Sequence, residues 1–385
     1  MMFGPHFLIS SLFTLAISAN VILPSPSGPY AVTQNTLKLT DESRVDSLDP
    51  KHGKRQIMVS SFYPVKSSAC EKPCEIPYMS PNAAPIVEAF LGPFGIQGGA
   101  LGKIRMQGCC KATCQESNGN GEIPLVFLLH GFGGTRLLHN ALAQELASMG
   151  FAIITMDHTF ESVLVEFPDG TVIRPLNDSS LDTTIPGRLE SLQDIRVDDA
   201  RFVMSQLGSK DVVAKLVPDS RCTFNAERAA VIGHSVGGST SMKLLMKDLR
   251  FVGGLNLDGE QFGEITDMQQ PAVLFGTTGV TPVPHNSTSD PSWAKTLDHL
   301  KGWKREIGLN NISHTGFTDI SFLVGTGALD IPKEAADQFI GILDGKRSFE
   351  IFSTYVAAFL DFVLRGGKTA LFDGPSEKFP EIVVL

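Results

Sequence analysis

Five short runs of nearly uninterrupted apolar residues punctuate the middle of the chain: PLVFLL at 124–129, FAIITM at 151–156, AAVIG at 229–233, GGLNLD at 253–258 and PAVLFG at 271–276. Runs of this length without polar alternation are the mark of strands buried on both faces, because neither face meets water. Between them the pattern turns helical. Residues 137–149 bring Leu138, Leu142 and Leu146 near one face, residues 188–207 follow, and at 236–247 small residues give way to Met242, Leu244 and Leu245. Strand and helix in alternation predict an α/β fold, a mostly parallel central sheet with helices on both faces. Upstream, AVTQNTLKLTD at 31–41 and RQIMVSSFYPV at 55–65 alternate enough to pair as opening strands across the polar stretch 42–54. Downstream, REIGLNNIS at 305–313 reads as the last strand, residues 347–364 as a long amphipathic helix, and residues 366–385 as an irregular tail.

The segment 67–121 breaks this rhythm. It is rich in loop residues, with one short helix at 85–91, and holds Cys70, Cys74, Cys109, Cys110 and Cys114; the sixth cysteine is Cys222. It reads as a Cys-rich insertion or cap. A zinc site drawn on Cys70, Cys74, Cys110 and Cys114 has no histidine between its halves, so the even cysteine count points instead to disulfides, with connectivity open. Export would permit them. Residues 1–19 carry an apolar run from Phe7 to Ala19 that closes on small residues and is followed by LPSPSGP, the pattern of a signal peptide cut near residues 18–20. An uncleaved anchor is the competing reading, although the run is short for a span. Residues 20–385 are then expected to form one catalytic domain in a secreted protein. Sequons at Asn177, Asn286 and Asn311 agree with export. A net charge of -9, with no basic cluster, argues against a nucleic-acid partner.

The chemistry gathers at strand ends. AAVIG runs into Gly233-His234-Ser235-Val236-Gly237, a G-x-S-x-G in which a strand would turn into a helix through one serine, with small residues two positions either side where backbones meet. Acyl transfer by that serine needs a base, a carboxylate to orient it and N–H donors for the oxyanion. Asp258 ends the GGLNLD run with Gly259 behind it, and Glu260 is its near rival. His314 follows the last strand in NISHTGFTD, where the Ser, Asp, His order of hydrolases built on such sheets puts the base; His158, at another strand end, is the alternative. The oxyanion donors are expected to be the N–H groups of Val236 and of Phe132, the latter in the His130-Gly131-Phe132-Gly133-Gly134 loop after PLVFLL. A base that must be neutral predicts activity falling below roughly pH 6 to 7. No Walker A lysine, H-E-x-x-H or dinucleotide fingerprint competes, so neither cofactor nor metal is expected.

These residues resemble the platelet-activating-factor acetylhydrolases of the plasma type, as a secreted fungal-like relative. The likeness runs through GPYAV, FYPV, LLHGFGG, LASMGFAIITMDH, GHSVGG and NLDG, then His314-x-x-Phe317-x-Asp319 and GPSEKFPE, and so spans most of the chain after the leader. A serine, an aspartate 23 residues on and a histidine 79 on resemble that family's spacing; most α/β-hydrolases carry the acid one strand later. The resemblance implies an α/β-hydrolase fold, a Ser235, Asp258, His314 triad, and an oxyanion hole from Phe132 and Val236. It further implies hydrolysis, without calcium, of short or oxidised acyl groups from the second position of a glycerophospholipid. The Cys-rich segment is not in the family pattern. A carboxylesterase or cutin-type polyester hydrolase with no phospholipid preference is the alternative. Peripheral contact with lipid surfaces, through apolar residues in 89–101, is weighed against a buried cap helix; oligomeric state is not readable.

Overall fold

The computed structural model describes residues 20–113, 123–219, 222–279 and 284–385. The leader at 1–19 and Cys114 lie outside the described residues. Nine strands form the main sheet: β1 (Tyr30–Val45), β2 (Lys54–Lys66), β3 (Ile123–Leu129), β4 (Ala152–His158), β5 (Phe224–His234), β6 (Phe251–Leu257), β7 (Ala272–Thr278), β8 (Lys304–Asn310) and β9 (Ile382–Val384). Their spatial order is β9-β8-β7-β6-β5-β3-β4-β2-β1. From β8 through β4 every neighbour is parallel, while β2, β1 and the far edge β9 are antiparallel. The helices that cover the sheet or wall its upper end are α1 (Ala83–Leu91), α2 (Asn140–Ser148), α3 (Arg188–Gln206), α4 (Val236–Lys247), α5 (Pro291–His299) and α6 (Gly345–Arg365).

The apolar runs are explained by two cores, one on each face. Along β3, Val126 and Leu128 enter one core while Leu125, Phe127 and Leu129 enter the other; along β5, Ala230 and Ile232 oppose Ala229 and Val231. Strand side chains alternate faces, so a strand covered twice has no position left for water-loving residues. Leu142 and Leu146 of α2 and Phe352, Tyr355 and Phe359 of α6 fill the first core. Val203 and Met204 of α3, Met242 and Leu245 of α4 and Trp293 of α5 fill the second.

Two expectations need correction. The tail is not irregular throughout: β9 pairs with β8, Ile307 opposite Val384. Three residues are too few to show a period, and their partner is some 75 positions away. The Cys-rich segment is not mainly loop either. Strands Cys70–Pro77 and Ile104–Ala112 pair antiparallel, with Val21–Ile22 added alongside Ile104 and Arg105. CEKPCEIP hides its strand because it lies at the sheet edge, where two prolines cost no ladder bond. Cys70 bonds Cys109 and Cys74 bonds Cys110, and Cys222 is disulfide-bonded as well. These thiols are consumed, which removes the zinc drawing.

Candidate active site

At the junction of β5 and α4, Ser235 has φ 57° and ψ -129°, a conformation that costs an L-residue free energy and lifts its side chain above the sheet. Its flanking glycines are required by close approach. A Cβ on Gly233 would sit 2.2 Å from the Gly237 carbonyl oxygen, and one on Gly237 would sit 2.3 Å from that of Leu129. The turn is locked by Ser235 N–H donating to the Leu257 carbonyl (2.8 Å) and by the Ser235 carbonyl accepting from Gly238 and Ser239 at the start of α4.

Asp258 stands one strand away, directly after β6, buried and with φ 58°. Gly259 behind it is also forced, since a Cβ there would lie 2.0 Å from the Ser235 carbonyl oxygen. His314 follows β8, and its Nδ1–H donates to Asp258 Oδ2 at 2.6 Å. The other carboxylate oxygen, Oδ1, accepts from the Thr277 N–H (3.1 Å) and from His285 Nδ1 (3.0 Å). Burial alone would raise this carboxyl's pKa; the hydrogen bonds from His285 and His314, with the charges behind them, outweigh burial and hold it well below the usual carboxylate range. His234, kept neutral chiefly by burial, donates from Nε2 to the His314 carbonyl at 2.9 Å, so the residue before the serine fixes the backbone of the histidine.

The loop after β3 comes up beside the serine: a Cβ on Gly131 would lie 3.0 Å from Ser235 Cβ. Among the described residues, the N–H groups of Phe132 and Val236 have no protein acceptor. The loop is held from below by Arg196 of α3, fully buried, which donates to the carbonyls of His130 (2.7 Å) and Gly131 (3.1 Å) and pairs with Glu161. Asp157 at the end of β4 accepts from the Thr135 hydroxyl, the Arg136 N–H and the Arg136 guanidinium.

Two unlike spaces meet at Ser235. One is an apolar cavity of about 170 Å³ walled by Phe90, Leu91, Phe94, Leu138, Ile320 and Phe339. The other is a wider polar groove of about 580 Å³ bordered by Asp258, Glu260, Phe262, His285, Asp290 and His314. Phe90, Leu91 and Phe94 come from α1 and the turn after it. The Cys-rich hairpin therefore carries an arm that walls the serine's cavity. Phe90 and Phe94 line the cavity while remaining exposed to solvent, at 42% and 39%.

The residues expected at one site do come together, and none of the rival residues bonds His314. Glu260 is exposed and does not bond His314. Asp319 is buried under Tyr78 and accepts from the Ala141 and Leu142 N–H groups. His158 is buried against Asp199, its Nδ1 at 2.8 Å, and does not line either space at the serine. Sequence reasoning missed His285 and Arg196. The first stands seven positions beyond the end of β7 and shows no motif; the second had a faint signal, an arginine four residues after Leu192 and four before Ala200 on a buried helix face.

A parallel-centred sheet with a strained serine between strand and helix, and a histidine–carboxylate pair beyond the ends of two of its parallel strands, defines an α/β-hydrolase. The comparisons narrow the class. Residues 15–168 and 203–362 match the family model described as platelet-activating factor acetylhydrolase, isoform II, and the chain belongs to that family. It is 31% identical, over 98% of its own length and 97% of the other's, to a probable 1-alkyl-2-acetylglycerophosphocholine esterase of Arthroderma benhamiae. It is 25% identical to the platelet-activating factor acetylhydrolase of Cavia porcellus, over 53% of this chain and 50% of that one. Among solved structures, a ferulic acid esterase from Streptomyces cinnamoneus superposes with a TM-score of 0.74 at 28% identity, covering 95% of this chain and all of that one. The protein is a carboxylic ester hydrolase of the platelet-activating-factor-acetylhydrolase type.

Proposed function

We propose that Ser235 is the nucleophile, His314 its general base and Asp258 the carboxylate that orients the base. The observation that carries this is the 2.6 Å bond from His314 Nδ1 to Asp258 Oδ2, with Ser235 and His314 lining the same cavity. His314 Nε2 takes the serine proton, Ser235 Oγ attacks the ester carbonyl, and the free N–H groups of Phe132 and Val236 hold the oxyanion. The leaving alcohol departs with the proton from His314. Water, deprotonated by the same imidazole, then releases the acid.

The substrate reading is a glycerophospholipid with a short or oxidised acyl group at its second position, of the 1-alkyl-2-acetylglycerophosphocholine kind. An apolar cavity of about 170 Å³ suits a short acyl group. The wider polar groove on the other side of the serine has room for a glycerophosphocholine leaving group. Exposed Phe90 and Phe94 beside the cavity support docking against a lipid surface; among the described residues no helix is long and apolar enough to cross a membrane. The second reading, a carboxylesterase without phospholipid preference, is favoured by the aromatic wall of Phe90, Phe94, Phe132 and Phe339 and by the ferulic acid esterase neighbour. Turnover of an acyl-length series on a phospholipid and on an aryl ester separates them. Ser235→Ala tests the whole scheme, and retained esterase activity overturns it.

Residues 1–19 are proposed as a signal peptide and residues 20–385 as the secreted catalytic domain, in keeping with the disulfides. Of the three sequons, Asn177 is exposed, Asn286 is buried with its Oδ1 accepting from Thr288 and Ser289, and Asn311 is half-buried. Glycosylation is therefore proposed at Asn177 alone.

A further inference from the structure

Asp258 is shared. While Oδ2 serves His314, Oδ1 is held by a second histidine, His285, whose other ring nitrogen, Nε2, lies 2.8 Å from Asp290 Oδ2. An imidazole with a carboxylate oxygen on each nitrogen must donate from both, and that requires the doubly protonated cation. The ring is fixed in place. It packs against the indole of Trp293 at 4.3 Å, and that indole N–H donates to the Gly259 carbonyl at 2.7 Å. His285 N–H donates to Thr277 O, and Asp290 caps α5 by accepting from Ser292 N–H at 2.7 Å.

We propose that His285, set by Asp290, is a positioning residue for the acyl transfer described above: it pins the Asp258 carboxylate and, as a fixed cation on it, weakens the pull of Asp258 on a proton at His314. The base then stays neutral, and the enzyme active, to lower pH than a carboxylate bonded to one histidine would permit. Asp290, His285, Asp258 and His314 thus form a single hydrogen-bonded chain from the cap of α5 to the base.

The groups facing His285 are Asp258 from the end of β6, Asp290 from the cap of α5, Glu260 from the loop after β6 and His314 from the turn after β8. Glu306 on β8 is nearby but is engaged by the Ser287 N–H and hydroxyl. In support, burial works against charge on His285, but its bonds to Asp258 and Asp290 prevail and raise its pKa to about 9. Glu260 is raised by burial first and by Asp290 second.

The inference rests on the triad reading, and the test keeps the two apart. The acid limb of kcat/KM on an aryl ester is measured for the wild-type protein, His285→Gln, Asp290→Asn and Glu260→Gln. Gln keeps a donor to Asp258 without the charge; Asn keeps the cap of α5. With a unit charge removed from the carboxylate that holds the base, His285→Gln should move the acid limb up by about one pH unit. Asp290→Asn should move it the same way by less, and Glu260→Gln should not move it upward. Acid limbs of His285→Gln and Asp290→Asn that coincide with the wild type, with only the plateau reduced, overturn the role given to His285. If His285→Gln does not fold, Asp290→Asn decides by the same criterion. Covalent labelling of wild-type Ser235 by an organophosphate reads the triad separately, and no labelling overturns that reading instead.

Discussion

His314 Nδ1 lies 2.6 Å from Asp258 Oδ2 although the two stand 56 positions apart in the chain, with the whole of β7 between them. The pair exists because two strand ends of one parallel sheet open on the same side. Replacing Asp258 by Asn offers an amide in place of a carboxylate and allows the wrong imidazole tautomer, so turnover on an aryl ester should fall by about 10⁴ with the fold intact by circular dichroism. Glu260→Gln should cost less than a few-fold. A mild Asp258→Asn effect beside a large one at Glu260 would place the acid wrongly.

Arg196 joins the loop that carries Phe132 to the helix beneath it. Arg196→Met should leave the buried Glu161 carboxylate unpaired and the His130 and Gly131 carbonyls without their donor, lowering stability by about 3 to 5 kcal/mol. Turnover should fall at least tenfold, with a smaller change in KM, because a displaced N–H fails the oxyanion more than the bound ester. Urea unfolding and steady-state kinetics on the same preparation check both parts.

The hairpin disulfides brace the arm that carries Phe90, Leu91 and Phe94. Removing both bonds, with Cys70, Cys74, Cys109 and Cys110 all replaced by Ala, frees a loop that either bond alone would still close, with a sequence separation of 39 for the 70–109 pair. A stability loss of about 2 to 4 kcal/mol is expected from loop entropy. Acyl-length preference should broaden as the wall loosens. An unaltered acyl profile would show that the arm does not set it.

His285 also predicts a pH dependence of stability. Its folded pKa, raised to about 9, exceeds the ordinary 6.5, so it adds stability that is fully present below about pH 6.5 and is lost as pH rises through about 9. The contribution is at most about 3 kcal/mol. Guanidinium unfolding at pH 7 and pH 10 should show a larger drop for the wild-type protein than for His285→Gln; equal drops would remove the cation.

How much of this was written in the chain depends on range. Strands β3 to β7 and helices α2, α3, α4 and α6 were legible because burial on two faces, or on one stripe, leaves its period in a single segment. Ser235, Asp258 and His314 were legible because each stands at the end of such a run, with glycines that close approach demands. The edge strand β9 and the hairpin Cys70–Pro77 with Ile104–Ala112 were not, because a three-residue strand and a Pro-bearing edge strand carry no period.

By itself, then, the sequence determined the alternating architecture and the three side chains at strand ends, since local burial and turn chemistry act on neighbouring residues. Only the tertiary structure decided that Asp258 is shared by two histidines, that Arg196 holds the loop of Phe132, and that a cysteine-braced arm walls the cavity. Each of those depends on groups brought together from distant segments, where hydrogen bonds and charge are set by the meeting and leave no trace in either segment alone.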